Sequence, residues 1–191
     1  MYGFPAKIEG CRMTTPAKTE IEIALYNWLR DRAFEVIAPN VYILQGEQDM
    51  LAISRSGYAS EFEIKMTRSD YLIDFSKTVG SKLEAQLRGQ FWLKHEYLDG
   101  SRQSVNQWDV PKYFWFVVPA GMVDIEDVPS YAGLLYAFRD DSDDVCIRII
   151  RKAPARKGAA KVPSEVYGRI TVSLTHKFWA LWTKRETKGE R

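Results

Sequence analysis

QDMLAISRSGYASEFEIKM, residues 48–66, holds two short apolar runs, Met50-Leu51-Ala52-Ile53 and Phe62-Ile64-Met66, on either side of the turn formers Ser54-Arg55-Ser56-Gly57. That is the outline of a β-hairpin. In its second strand Phe62, Ile64 and Met66 fall on one face and Glu61, Glu63 and Lys65 on the other, because successive strand residues point to opposite sides of a sheet. Asp49 opens the first strand 14 positions before Glu63, a separation that lets the hairpin bring the two carboxylates together at one end of the sheet.

That juxtaposition points to a definite chemistry. Neighbouring carboxylates repel unless a cation neutralises them, and their hard oxygens suit Mg²⁺ or Mn²⁺. A metal held this way polarises a phosphodiester and lowers the pKa of a bound water. Lys65, two residues on and on the same face, is placed to orient that water or to stabilise charge developing on phosphorus. A second reading follows from the same residues: a solvated sheet face bearing ordinary Glu–Lys pairs.

At 191 residues, 46% hydrophobic and 13% aromatic, the chain fits a single domain with a sizeable core. Its first residues, MYGFPAKIEGCRM, lack the apolar run of a signal peptide, and no stretch has the length of a membrane span, so a cytoplasmic, non-membrane protein is expected. Cys11 and Cys146 stand alone, which argues against a zinc knuckle or a disulfide framework. The net charge of +2 is unevenly spread: residues 151–191 hold 11 Lys/Arg against 3 Asp/Glu, while the part before them is acidic overall. A basic tail is suited to phosphates, and equally to keeping a protein in solution.

Residues 1–14 read as an irregular lead-in. Thr15-Pro16 has the form of a helix start, after which Ile21, Leu25, Trp28 and Leu29 recur at helical spacing. Glu20 and Glu22 flank that apolar stripe. Glu22 also completes a Thr19-x-x-Glu22 capping box, leaving Glu20 the better candidate to reach a site, with Glu22 its rival. A bent strand over 34–44, around Pro39-Asn40, leads into the hairpin. Beyond it, 71–98 reads as largely helical, with Lys77, Lys82, Arg88, Lys94 and His95 as cationic groups; Lys77, Lys82, Lys94 and His95 are candidate nucleic-acid contacts. Tyr113–Val118 is apolar throughout, as a central strand is. Residues 133–138 and 145–150 give two more strands around the acidic tip Asp140–Asp144. The basic extension 151–191 ends in a helix from Ser164 to Trp182. Its Val166, Ile170, Leu174, Phe178 and Leu181 recur at helical spacing, which argues for core packing, and the aromatics Phe178, Trp179 and Trp182 are expected in the core rather than as base-stacking platforms.

With Glu20, Asp49 and Glu63-Ile64-Lys65 set in this order of elements, the chain resembles the PD-(D/E)XK nuclease superfamily, the restriction-endonuclease-like fold with an αβββαβ core. EFEIKMTRSDYLIDF, KHEYL at 94–98, YFWFVVPAGMV and VPSYAGLLYAF are similar to segments of small phage and bacterial proteins of that fold. The resemblance spans roughly residues 20–138. It implies an α/β (α+β) mixed sheet flanked by helices, with an extra C-terminal strand and helix. It further implies a Mg²⁺- or Mn²⁺-dependent endonuclease of DNA processing, repair or defence, with Asp49, Glu63 and Glu20 as metal ligands and Lys65 as the catalytic lysine. Gln48 stands where the family has a proline. DNA is the implied partner, RNA stays open, and cleavage of both strands of a duplex would favour a homodimer. Members of this fold have also lost catalysis while keeping a binding role, so a silent DNA- or protein-binding module is the alternative.

Overall fold

The computed structural model describes residues 14–44, 47–76, 91–101 and 106–189. Helix α1 (Lys18–Arg30) precedes strands β1 (Phe34–Val41), β2 (Gln48–Ser54) and β3 (Ala59–Ile64). Helices α2 (Arg68–Ser76) and α3 (Phe91–Asp99) lead to β4 (Tyr113–Pro119). After a 3₁₀ turn at Ile125–Asp127 come β5 (Ala132–Arg139), β6 (Val145–Arg151) and the long helix α4 (Ser164–Gly189). The strands form one six-stranded mixed sheet in sequence order, with β3, β4 and β5 parallel and the other neighbours antiparallel. A mixed sheet flanked by helices is the α/β (α+β) architecture the sequence predicts.

The hairpin forms where the turn residues place it. Arg55–Tyr58 make the connection, closed by the Ser54 amide donating to Tyr58 O and the Gly57 amide to Ser54 O, with Gly57 at φ +83°. A left-handed turn of this kind favours glycine. The bend expected in β1 falls at Asn40, whose φ is +51°. At the other end of β2, the Oε1 oxygen of fully buried Gln48 accepts the amides of Ile43 and Leu44 and so holds the β1–β2 connection. Gln48→Leu would orphan both amides at once. It is expected to cost about 3 kcal/mol, read as a melting point lower by about 10 °C.

The two faces of the sheet are covered differently. On one, α1 lays Ile21, Leu25 and Leu29 onto Met50, Ala52, Phe62, Ile64, Val117, Leu135 and Ala137. On the other lie two separate apolar clusters. Tyr71 of α2 and Leu98 of α3 pack over Phe114, Phe116, Val118 and Leu134 of β4 and β5. Val166 and Ile170 of α4 pack over Ala38, Val41, Leu51 and Ile53 of β1 and β2. Strand β3 runs along the seam between them. Among the described residues no helix is long and apolar enough to cross a membrane.

Three expectations need correction. Helix α1 starts at Lys18 with Ala17 as its N-cap, two residues later than Thr15-Pro16 suggests, because the Glu20 carboxylate caps the Ala17 amide at 2.7 Å. The apolar stripe of α4 is buried only at its start: Phe178 is 54% exposed, Trp179 56%, Leu181 64% and Trp182 48%. Third, the basic extension is not simply a charged tail. Arg156 donates to the backbone oxygens of Gln107, Val110 and Pro111, and Arg151 to that of Ala132. These guanidiniums pin the segment to the sheet.

Candidate active site

The β2–β3 register pairs Met50 with Phe62 and Leu51 with Glu61, which sets Asp49 level with Glu63. Ladder pairing stops at Met50, and there the Asp49 side chain takes over: its Oδ2 accepts the Ile64 amide at 2.8 Å. Glu63 stands close enough to the Asp49 carboxyl group to influence its titration. From the other face of the sheet, Lys18 in the first turn of α1 reaches the same strand end and donates to Asp49 Oδ1 at 2.8 Å.

Burial decides between the two sequence readings. Glu61 is 0% exposed, Glu63 4% and Lys65 7%. A solvated Glu–Lys face is therefore excluded. The reason is topological: β3 is paired on both edges and lies between the strands that carry the two apolar clusters of this face, so its polar side chains stand inside the sheet and not at its rim. Lys65 follows β3 directly, and its amide continues the parallel ladder by donating to Val117 O at 3.0 Å. That keeps the strand alternation and leaves Lys65 on the Glu63 side.

The charge at this site is distributed unevenly. Burial works against the Asp49 carboxylate. The interaction with Glu63 and the hydrogen bonds from Lys18 and the Ile64 amide outweigh it and hold Asp49 below the usual aspartate range. Burial likewise opposes the Lys18 ammonium, but the hydrogen bond and attraction of Asp49, with Glu22 and Glu63 also contributing, raise its pKa. Asp49 is thus held as a carboxylate, and the Lys18 ammonium is its counter-ion.

Glu20 is not at this site. Its two oxygens accept from Arg139 at 2.7 Å each, and Arg139 ends β5, three strands away from β2. Helical geometry turns Glu20 about 200° from Lys18, whereas Glu22 lies one turn beyond it on the same side. Glu20 is therefore the cap and the sheet anchor, and Glu22 is the α1 carboxylate nearer Asp49, the reverse of the sequence assignment. The Arg139 hydrogen bond, then the Ala17 amide, lower the Glu20 pKa. A depressed folded pKa gives stability that is present above the usual glutamate value of 4.5 and lost as pH falls through the folded value. Glu20→Gln is expected to lower the melting point at pH 7, with the difference from wild type shrinking in melts below about pH 4.5.

The proposed nucleic-acid contacts fare differently. Lys77 and Lys82 lie outside the described residues, and Lys94 lies in α3. His95 is turned inward: its Nδ1 is 2.6 Å from the Tyr131 hydroxyl and its ring packs edge-on against Phe114. It supports the core and is not presented to a ligand. One group at the carboxylate pair escaped sequence reasoning, Lys18, while Glu61, on the same strand face as Glu63 by alternation, proves fully buried. Lys18 has no sequence signal of its own, since it matters only because α1 crosses the sheet with its first turn over β2.

Among the described residues, no cluster of three or more His, Cys, Asp or Glu converges as a complete metal cage. Two carboxylates suffice for Mg²⁺, which commonly keeps several waters and takes the rest of its shell from substrate phosphate. The donor set of Asp49 and Glu63, hard oxygens at a strand end, fits such an ion.

The class so defined is a mixed α/β protein with an acidic pair, buried Glu63 and part-buried Asp49, at the ends of two neighbouring strands. No protein-family model matches the chain, and no curated protein does. Among solved structures it is similar to the SPO1766 protein of unknown function from Silicibacter pomeroyi, with a TM-score of 0.50 and 21% identity over 90% of this chain and 91% of that one. At that identity the likeness speaks for the fold alone.

Proposed function

We propose that the protein is a metal-dependent nuclease with a PD-(D/E)XK-type core that hydrolyses phosphodiester bonds in DNA. The observation that carries the reading is part-buried Asp49 set level with buried Glu63 at one sheet end, with buried Lys65 two residues beyond Glu63 on the same side of the strand. Burying ionisable groups is expensive, and a purely structural role would be served as well by apolar residues of similar volume. The order of α1, β1–β3, intervening helices and β4 supports the core assignment.

In this reading Asp49 and Glu63 hold Mg²⁺ or Mn²⁺, which when bound polarises the scissile phosphate and acidifies a water. Lys65 is the group that orients the attacking water and faces the charge developing on phosphorus. The Ile64 amide fixes one Asp49 oxygen, leaving the other shared between Lys18 and any incoming cation. Glu22, one turn beyond Lys18 on α1, would be the helix carboxylate nearest such an ion, in place of Glu20.

A second reading, a silent module that binds DNA or a protein, is favoured by the Lys18 ammonium, which already neutralises Asp49. Calorimetric titration of Mn²⁺ into wild type and Glu63→Gln separates the two. Binding by wild type that is lost in Glu63→Gln, followed by Mn²⁺-dependent cleavage of DNA, is the expected result. Cleavage unchanged by Glu63→Gln and Lys65→Ala would sink the catalytic assignment.

A further inference from the structure

We infer that the C-terminal half of α4 is an arm that binds a single, unpaired strand of nucleic acid and leads it toward the Asp49–Glu63 pair. The clause that places the strand at a reaction centre rests on the function proposed above; the binding itself does not.

The course of α4 carries the inference. The segment entering it is fixed at the hairpin turn, where the Val162 amide donates to Gly57 O. Val166 and Ile170 then pack over β1 and β2, and the Lys177 ammonium donates to Pro39 O at 2.9 Å and to Asn40 O. Asn40 falls between the register pairs Pro39–Met50 and Val41–Gln48, level with Asp49. From Ser164 to Lys177 the helix rises about 20 Å, which matches the length of β2. It therefore runs from the hairpin turn to the Asp49 end, on the face that bears Glu61 and Glu63. From Phe178 to Gly189 it continues for about 18 Å past that end.

This projecting part has the composition of a strand-binding surface. Phe178, Trp179 and Trp182 form one aromatic group, with the Phe178 ring centroid 5.6 Å from that of Trp179 and 5.9 Å from that of Trp182. All three are about half exposed. From Phe178 to Gly189 the sequence holds Lys184, Arg185 and Lys188 against one acid, Glu186, with His176 and Lys177 at its base. Lys184 follows Lys177 by two turns, so it lies on the stripe that faces the sheet end. Aromatic faces that stack bases beside cations that follow phosphates are the usual means of holding a single strand. Duplex DNA buries its base faces and offers nothing for these rings to stack on. Pairing of two copies through this stripe would set lysines of both copies in one basic interface, so charge complementarity favours a polyanion over a second copy.

The test uses the full chain in EDTA, where no metal is present and cleavage cannot intervene. A labelled oligothymidine is titrated with wild type, Trp179→Ala/Trp182→Ala and Trp179→Phe/Trp182→Phe, with fluorescence anisotropy as the readout and circular dichroism checking that all three melt alike. Wild type is expected to bind with marked salt dependence. The alanine pair should weaken binding about tenfold or more and the phenylalanine pair much less. No binding by wild type, or equal binding by the alanine pair, overturns the arm. So does a wild-type dimer that the alanine pair converts to monomer in sedimentation, or capture of anionic vesicles in place of the oligonucleotide. Because Asp49 and Glu63 are untouched, failure here leaves the Mn²⁺ titration to judge the nuclease reading separately.

Discussion

Asp49→Asn is expected to abolish Mn²⁺ binding and to slow DNA cleavage about a thousandfold, the loss that follows when a metal supplying several kcal/mol to the transition state is no longer held. Asparagine retains an oxygen for the Ile64 amide, so β2 and β3 should stay joined at that end and the melting point should move little. Charge is what the substitution removes. Lys18→Met is the complementary variant. It takes away the ammonium that occupies Asp49 Oδ1, leaving that oxygen to the incoming cation. Because the Lys18 side chain is 43% exposed and screened by water, the gain is modest: Mn²⁺ affinity should rise about threefold to tenfold in calorimetry. Unchanged Mn²⁺ affinity in both variants would mean that the pair is a structural ion cluster.

The largest effect on stability is expected at Gly133. It sits in β5 beside Trp115 of β4, and the Trp115 ring, stacked on Phe62 with centroids 6.1 Å apart, spreads across the space a side chain would fill. A Cβ at this position would lie 2.3 Å from the ring and 2.7 Å from the backbone nitrogen of Ala153. The backbone contact cannot yield by a rotamer change. Gly133→Ala should therefore cost about 3 kcal/mol or more, measured by urea unfolding as a lower midpoint with an unchanged slope. Trp115→Leu in the same background should return part of the loss, by giving the ring's space to the new methyl group.

How legible the protein was depended on whether a feature is local. The hairpin was legible because two periodic signals and a glycine turn agree over 19 residues, and the register follows from the turn. The apolar run Tyr113–Val118 announced a central strand because burial on both faces leaves no room for alternation. The candidate site was half legible. Asp49 comes level with Glu63 as the hairpin arithmetic requires, whereas Glu20 and Glu22 exchange roles because a two-residue shift in the start of α1 decides which carboxylate becomes the cap. Helical spacing put Phe178, Trp179 and Trp182 in the core. Spacing shows which residues share a side of a helix, and it does not show whether a sheet lies opposite.

Sequence by itself determined the strands, their order and the approach of Asp49 to Glu63, since backbone periodicity and turn chemistry act over neighbouring residues. Only the tertiary structure decided that Glu61, Glu63 and Lys65 are buried, because β3 is paired on one edge with β4, far on in the chain, and stands in the middle of the sheet. It alone set Lys18 on Asp49 and Arg139 on Glu20, through the angle at which α1 crosses the sheet. The exposure of the α4 aromatics has the same origin: a 26-residue helix outruns a seven-residue strand, so Phe178, Trp179 and Trp182 fall past the sheet's end and stay about half exposed.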